Sequence, residues 1–245
     1  CLKMTNSVRV GWFLAQRQIK RSSWWTTTLI IFIMMLTFLN MVAVSGFLVG
    51  LVDGASRGYK DHYTADIIIA ALDNKTYIEQ SPALISVLEK MPEVSSFSPR
   101  YTDVARLEAG YKLRTRQDEL IDYTTGIVMG VDPVVEDNIT KLSANLRAGR
   151  FINSSDTDSI VVGADLLYAY APIDTPGLHV LRSAGVGDKV RLIVNGITRE
   201  VTIVGVIKTK TQEIDRRVIM RDNELRTILG RTDLNVGEIA VKLKP

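Results

Sequence analysis

A chain of 245 residues, 46% hydrophobic and 23% charged, is an ordinary globular mixture sized for one or two domains; wholesale disorder and collagen-like repeats are excluded. One cysteine excludes an internal disulfide framework and any multi-cysteine metal site, and two histidines leave little for a histidine-rich one. The net charge of +3 hides an uneven distribution: residues 1–28 hold five bases and no acid, residues 29–52 no charge, and residues 53–245 the other 25 bases and all 27 acids.

At the N-terminus, Val8, Trp12, Ala15 and Ile19 fall on one helical stripe, with Arg9, Gln16, Arg17 and Lys20 displaced from it. That spacing predicts a short amphipathic helix lying at a membrane surface. The uncharged run Leu29–Val52 follows. At about 1.5 Å per residue it makes roughly 36 Å of helix, enough to cross a hydrocarbon core of about 30 Å. A buried core helix seldom runs so long without a charge, and the apolar part of a signal peptide is usually only about 7–15 residues.

Orientation follows from the flanks. Arg17, Lys20 and Arg21 precede the run, with Trp24 and Trp25 as interface anchors; beyond it Asp53, Arg57, Lys60 and Asp61 balance. The positive-inside rule then gives a basic cytoplasmic segment (1–28), a transmembrane helix (29–52) and an extracytoplasmic domain (53–245). An excess of bases confined to the head fits membrane lipid as a partner and argues against nucleic acid, whose binders spread bases over a folded face.

Within the spanning helix, Asn40, Ala43, Gly46, Gly50 and Gly54 recur at three- and four-residue steps and share about a third of the circumference. Gly46 and Gly50 form GxxxG, which lets a second helix backbone come close, and Asn40 adds a polar contact. These five are the expected helix-packing residues.

Along the remaining chain, Ala65–Ala71 reads as a buried strand, and a helix follows with Ser81 as cap, Pro82 at its first position and Pro92 as its stop. Strands are expected at Val94–Pro99, Asp103–Ala109 and Thr124–Val131, a helix at Val135–Ser143 and a strand at Ser159–Val162. A helix is expected at Asp165–Tyr170. Asn195-Gly196 between alternating runs is a strong hairpin signal. Arg217–Met220 is a strand, Asp222 a cap for the helix Asn223–Leu229, and Val236–Leu243 the last strand. The body is α+β, dominated by strands.

Motifs for chemistry do not emerge. GxxxxGK[ST], GxSxG and HExxH are missing from the sequence, and Gly185-Val186-Gly187-Asp188-Lys189 opens a strand rather than a helix. Asp118, Glu119 and Asp122 read as a solvated turn, Asp156 and Asp158 as another, and His179 as a surface residue. The chain is expected to be no enzyme, with no catalytic, cofactor-binding or metal-binding residue.

The order of the pieces resembles a family, the ABC transporter permeases of the MacB/FtsX-like type, over their first membrane helix and MacB-like periplasmic core domain. The stations are Arg17–Arg21, Ala65–Ile69, Met91–Val94, Gly130–Pro133, Leu146–Phe151, Ile160–Gly163, Gly187–Val190 and Val201–Ile207. The resemblance implies a mixed α/β porter-like lobe beside a strand-rich lobe. It also implies a separate ABC ATPase subunit, further permease helices in the same gene or a partner chain, and a dimeric assembly. The role implied is coupling of ATPase-driven motion to an extracytoplasmic domain, for export, lipoprotein release or envelope control. The family continues with three more membrane helices, so a fragment, a truncated product or half of a split permease is expected. The alternative is a stand-alone bitopic binding or sensor protein without transport.

Overall fold

The computed structural model describes residues 2–21, 23–72, 74–112, 121–172, 179–209 and 211–244. The chain divides into two units, Cys1–Gly54 and Ala55–Pro245. The first holds helix α1 (Leu2–Arg21) and most of helix α2 (Trp24–Tyr59). Apolar side chains on every side of α2 are exposed: Leu29 by 57%, Phe38 by 70% and Phe47 by 72%. A helix apolar all round needs an apolar surrounding, and α2 is long and apolar enough to cross a membrane.

The second unit begins in the last turn of α2, which passes into a π-turn, Lys60–Thr64. Ala65, at φ 54°, turns the chain into strand β1 (Ile67–Ala70). Then come α3 (Ser81–Leu88), β2 (Val94–Ala109), β3 (Asp122–Val131), α4 (Pro133–Thr140) and β4 (Leu146–Gly149). After β5 (Ser159–Gly163), β6 (Lys189–Val194) and β7 (Ile197–Ile207) make the hairpin, with Asn195 and Gly196 both at positive φ in its turn. The chain finishes with α5 (Gln212–Asp215), β8 (Arg217–Arg221), α6 (Asp222–Ile228) and β9 (Glu238–Leu243).

These elements build two lobes that share β2. In the first lobe β1, β9 and the first half of β2 form an antiparallel sheet. Leu84, Ile85 and Leu88 of α3 pack with Ile239 and Val241 on one face, while Ile139 of α4 packs with Ala240 on the other. That alternation along β9 follows from the period of two in a strand. In the second lobe the pairings run β2–β3–β8–β5–β7–β6 and return to β2, closing a six-stranded ring. Ala105, Leu107, Val128, Val162, Val190, Leu192, Val201 and Val218 fill its core. Outside the ring wall, Met129, Val161, Ile207 and Ile219 pack with Leu142, Ile152 and Ile214. β5 and β8 are therefore buried on both faces, which is why IVV and VIM read as continuous apolar runs. A small mixed α/β lobe beside a strand-rich lobe is the observed architecture.

Several local expectations change. The strands expected at Val94–Pro99 and Asp103–Ala109 are one 16-residue strand, because Arg100 and Tyr101 between them are buried and partnered rather than looped out. Ser81 is no cap: Gln80 holds that position, and Ser81 Oγ instead donates to Ile78 O and accepts from Val236 N at 3.2 Å. Asp222 is no cap either, since its carboxylate receives Arg226 Nε at 2.9 Å. The helix expected at Asp165–Tyr170 shrinks to a 3-10 turn at Ala164–Leu166; Leu167 pairs with Leu181 and both are buried, so tertiary burial outranks helical spacing. The helix expected from Val135 starts two residues earlier, with Asp132 Oδ1 accepting from Val134 N and Val135 N.

Candidate functional site: the root of the apolar helix

Residues 58–63, where α2 ends, are gripped by the strands and helices of the second unit. Thr211 Oγ1 donates to Gly58 O at 3.0 Å in a buried contact. Beside it Asp215, also buried, accepts from Thr209 N at 2.6 Å and pairs with Lys208 at 3.1 Å, which fixes the loop ahead of α5. The Glu213 carboxylate beside Tyr59 pushes its phenol above the ordinary pKa. His62 Nδ1 lies 3.3 Å from Thr140 O at the end of α4.

Tyr63 reaches deepest. Its hydroxyl donates to Glu238 Oε1 at 3.2 Å and accepts from Arg217 Nη2 at 2.8 Å. Its ring lies against two guanidiniums, Arg217 at 4.7 Å and Arg100 at 5.5 Å, within the reach of cation–π attraction. Burial is the largest influence on this phenol and raises its pKa, with Arg217 opposing. Tyr63 therefore stays neutral and available as a donor.

Behind Tyr63 stands a buried network of two arginines and two glutamates. Arg100 is wholly buried and grips Glu136 twice, Nε to Oε2 at 2.9 Å and Nη2 to Oε1 at 2.7 Å. Ser98 Oγ and Thr140 Oγ1 satisfy the same carboxylate at 2.7 and 3.0 Å. Arg217 holds Glu238 through two N–H groups, at 2.9 and 3.1 Å. Burial alone would raise the Glu238 carboxyl, but Arg217, with Arg100 and the Tyr63 hydroxyl, outweighs it and holds the pKa below the usual carboxylate range.

Local sequence places each member. Ser98 and Arg100 are two apart on β2 and share its α4-facing side; Glu136 and Thr140 are one turn apart on α4. Arg217 and Glu238 open β8 and β9. The sequence reading missed these four charges. Their signal was an arginine or glutamate embedded in an otherwise apolar strand or helix face, where an unpaired charge would be prohibitive.

The residues expected from sequence lie in the other unit. Asn40, Ala43, Gly46, Gly50 and Gly54 are all exposed on α2, and an added Cβ at Gly46, Gly50 or Gly54 would meet nothing within 4 Å. Trp24 and Trp25, 83% and 82% exposed, begin α2, and Arg17 is exposed on α1. Lys20 and Arg21 belong to α1 by backbone, and their side chains lie outside the described residues. So do Asp118 and Glu119. Asp122 accepts from Ser183 N at 2.8 Å, whereas Asp156 and Asp158 bind Arg150 and Arg199. His179 is exposed. Among the described residues no group of three or more histidine, cysteine or acidic side chains is placed to hold a metal. The network's chemistry is mechanical: directional bonds in a dry interior, where charge pairs resist displacement.

The family profile described as the MacB-like periplasmic core domain matches residues 27–245. Two solved structures are similar to the chain. The extracellular domain of a noncanonic ABC-type transporter, YknZ, from Gram-positive bacteria is 13% identical, with 73% of this chain and 82% of that one covered and a TM-score of 0.45. The periplasmic region of MacB from Actinobacillus actinomycetemcomitans is 14% identical, with 72% and 73% covered and a TM-score of 0.45. No curated protein matches the chain.

Proposed function

The chain belongs to the family of the MacB-like periplasmic core domain, and from that premise we propose that it is a permease component of an ABC transporter, coupling the motion of a separate ATPase subunit to its extracytoplasmic domain for export, lipoprotein release or envelope control. The observation that carries the reading is the grip on residues 58–63. A lone anchor works through a loose tether, since it only has to hold a domain near the membrane. Here the helix end enters a buried network through Gly58, His62 and Tyr63, so a displacement of α2 is passed to β8, β9 and α4 together. The N-terminus is cytoplasmic, by the positive-inside bias, and residues 53–245 lie outside. Further permease helices, in the same protein or a partner chain, pack on the stripe from Asn40 to Gly54 in a dimeric assembly.

The test is affinity purification of the chain from cross-linked native membranes, with nucleotide hydrolysis as the readout. An ATPase subunit should co-purify, and Tyr63→Ala should keep the complex while weakening the response of the outer domain to ATP, read by hydrogen exchange in β8 and β9. A chain isolated without any ATPase would favour the stand-alone binding or sensor role.

A further inference from the structure

A second feature lies on the other side of the π-turn. A cavity of about 440 Å³ opens between Lys60–Asp66, the end of α4 and β9. Among the described residues its lining includes Lys60, Lys141, Lys242, His62 and one acid, Asp66. That acid is already committed: Asp66 Oδ1 sits 2.7 Å from Lys60 Nζ and Oδ2 accepts from Leu243 N at 2.9 Å. The Lys60 bond, then the Leu243 amide, hold its carboxyl below the usual range, so it remains ionised. Among the described residues Lys60, Lys141 and Lys242 thus share the cavity with one carboxylate, and neither Lys141 nor Lys242 has a carboxylate within ion-pair distance.

The placement of Lys141 sharpens the point. It stands at the end of α4 with φ 50° and ψ 41°, the left-handed conformation that glycine or asparagine adopts at least cost. A lysine there sets its backbone against preference while adding a cation to the cavity. His62, held at Nδ1 by Thr140 O, presents a fixed ring to the same space. The volume falls in the range of about 300–1,000 Å³ typical of small-ligand sites, beyond the need of a bare ion. Lys60 follows Val52, the last residue of the uncharged run, by eight residues, so at most about 12 Å of helix separates the cavity from hydrocarbon.

We propose that this cavity binds the phosphate of an anionic membrane lipid headgroup, with Lys141 and Lys242 as its principal ligands. The chemistry recognised is a phosphate ester. The lipid as its source rests on the membrane reading above, whereas phosphate binding does not.

The full chain in non-ionic detergent is titrated with three probes: short-chain phosphatidylglycerol, short-chain phosphatidylcholine and inorganic phosphate, followed by phosphorus NMR. Saturable binding is expected in the order phosphatidylglycerol, then phosphate, then phosphatidylcholine. Lys141→Ala/Lys242→Ala should lower phosphatidylglycerol affinity about tenfold or more, and Lys90→Ala, an exposed lysine elsewhere, should leave it unchanged. Asp66→Asn removes a carboxylate from the cavity lining and should tighten binding by up to about fivefold. Phosphate binding as tightly as phosphatidylglycerol, with the same loss in the double variant, supports the anion site but assigns it to free phosphate. No saturable binding, or equal binding by the double variant with an unchanged circular dichroism spectrum, overturns the proposal.

Discussion

Arg100 on β2 and Glu136 on α4 meet through two parallel hydrogen bonds, with neither side chain exposed to solvent at all. Two charges taken fully out of water need each other: removing one leaves the other desolvated and uncompensated, at a cost of about 3–5 kcal/mol. Glu136→Ala should therefore destabilise the second unit by that order. The double change Arg100→Met/Glu136→Leu should cost less than either single change, because an apolar pair of similar volume avoids the desolvation. Urea unfolding followed by hydrogen exchange in β2 and α4 reads the comparison in this unit. A loss in the double variant equal to the sum of the two single losses would show that the charges act independently.

Glu238 supplies a pH dependence. Its folded pKa is depressed by Arg217, Arg100 and Tyr63 against the upward push of burial. A depressed acid contributes stability that is present above its unfolded pKa and lost as pH falls through the folded value. Stability of the full chain in detergent should thus fall as pH is taken below about 4.5, the ordinary value for this group. Glu238→Gln should be less stable than wild type at pH 7, and the gap should close as wild-type Glu238 protonates. A gap that stays constant from pH 7 to 3 would mean that the shift does not exist.

Gly163, at the end of β5, tests the packing of α5 against the ring. A Cβ built there would sit 2.2 Å from Asp215 O and 2.7 Å from Ile214 O, both backbone atoms that cannot rotate away. Gly163→Ala must push α5 outward, straining the loop that holds Gly58, and should cost about 1–3 kcal/mol. Gly185→Ala, whose nearest neighbour would be Asp188 Oδ2 at 3.7 Å, should stay within about 0.5 kcal/mol. Urea midpoints of the two variants give the comparison.

The parts of the fold legible in the sequence are those governed by local pattern. The uncharged run of α2, the Asn195-Gly196 hairpin and the alternation of Ala105, Leu107 and Ala109 depend on spacing within a few residues. What escaped depends on partners far along the chain. Ser81 looked like a cap until Val236, 155 residues away, claimed its hydroxyl. Arg100 looked like a break between strands until Glu136 gave it a buried partner. The network around Tyr63 joins residues 63, 100, 136, 217 and 238, and no window of sequence holds more than one of them. Lys60, Lys141 and Lys242 are equally remote from one another until the sheet and α4 bring them to one cavity.

The stripe on α2 gives the last prediction. Asn40, Ala43, Gly46, Gly50 and Gly54 lie on one exposed face, with open space at the three glycines. Helices in lipid gain nothing from burying apolar surface against one another, so their association depends on close backbone approach and on polar contacts. If a second helix packs here, Gly50→Leu places a branched side chain where the backbones meet and should abolish the contact. Leu48→Ile, off the stripe, should change little. The Asn40 bond is worth only about 0.6–2 kcal/mol in such settings, so Asn40→Leu should weaken association less than the glycine change. Energy transfer between labelled chains in liposomes, or cross-linking through a cysteine at position 43, reads the effect. Equal association of wild type and Gly50→Leu would reduce the stripe to ordinary membrane glycine, and the permease helices expected on this face would have to pack elsewhere.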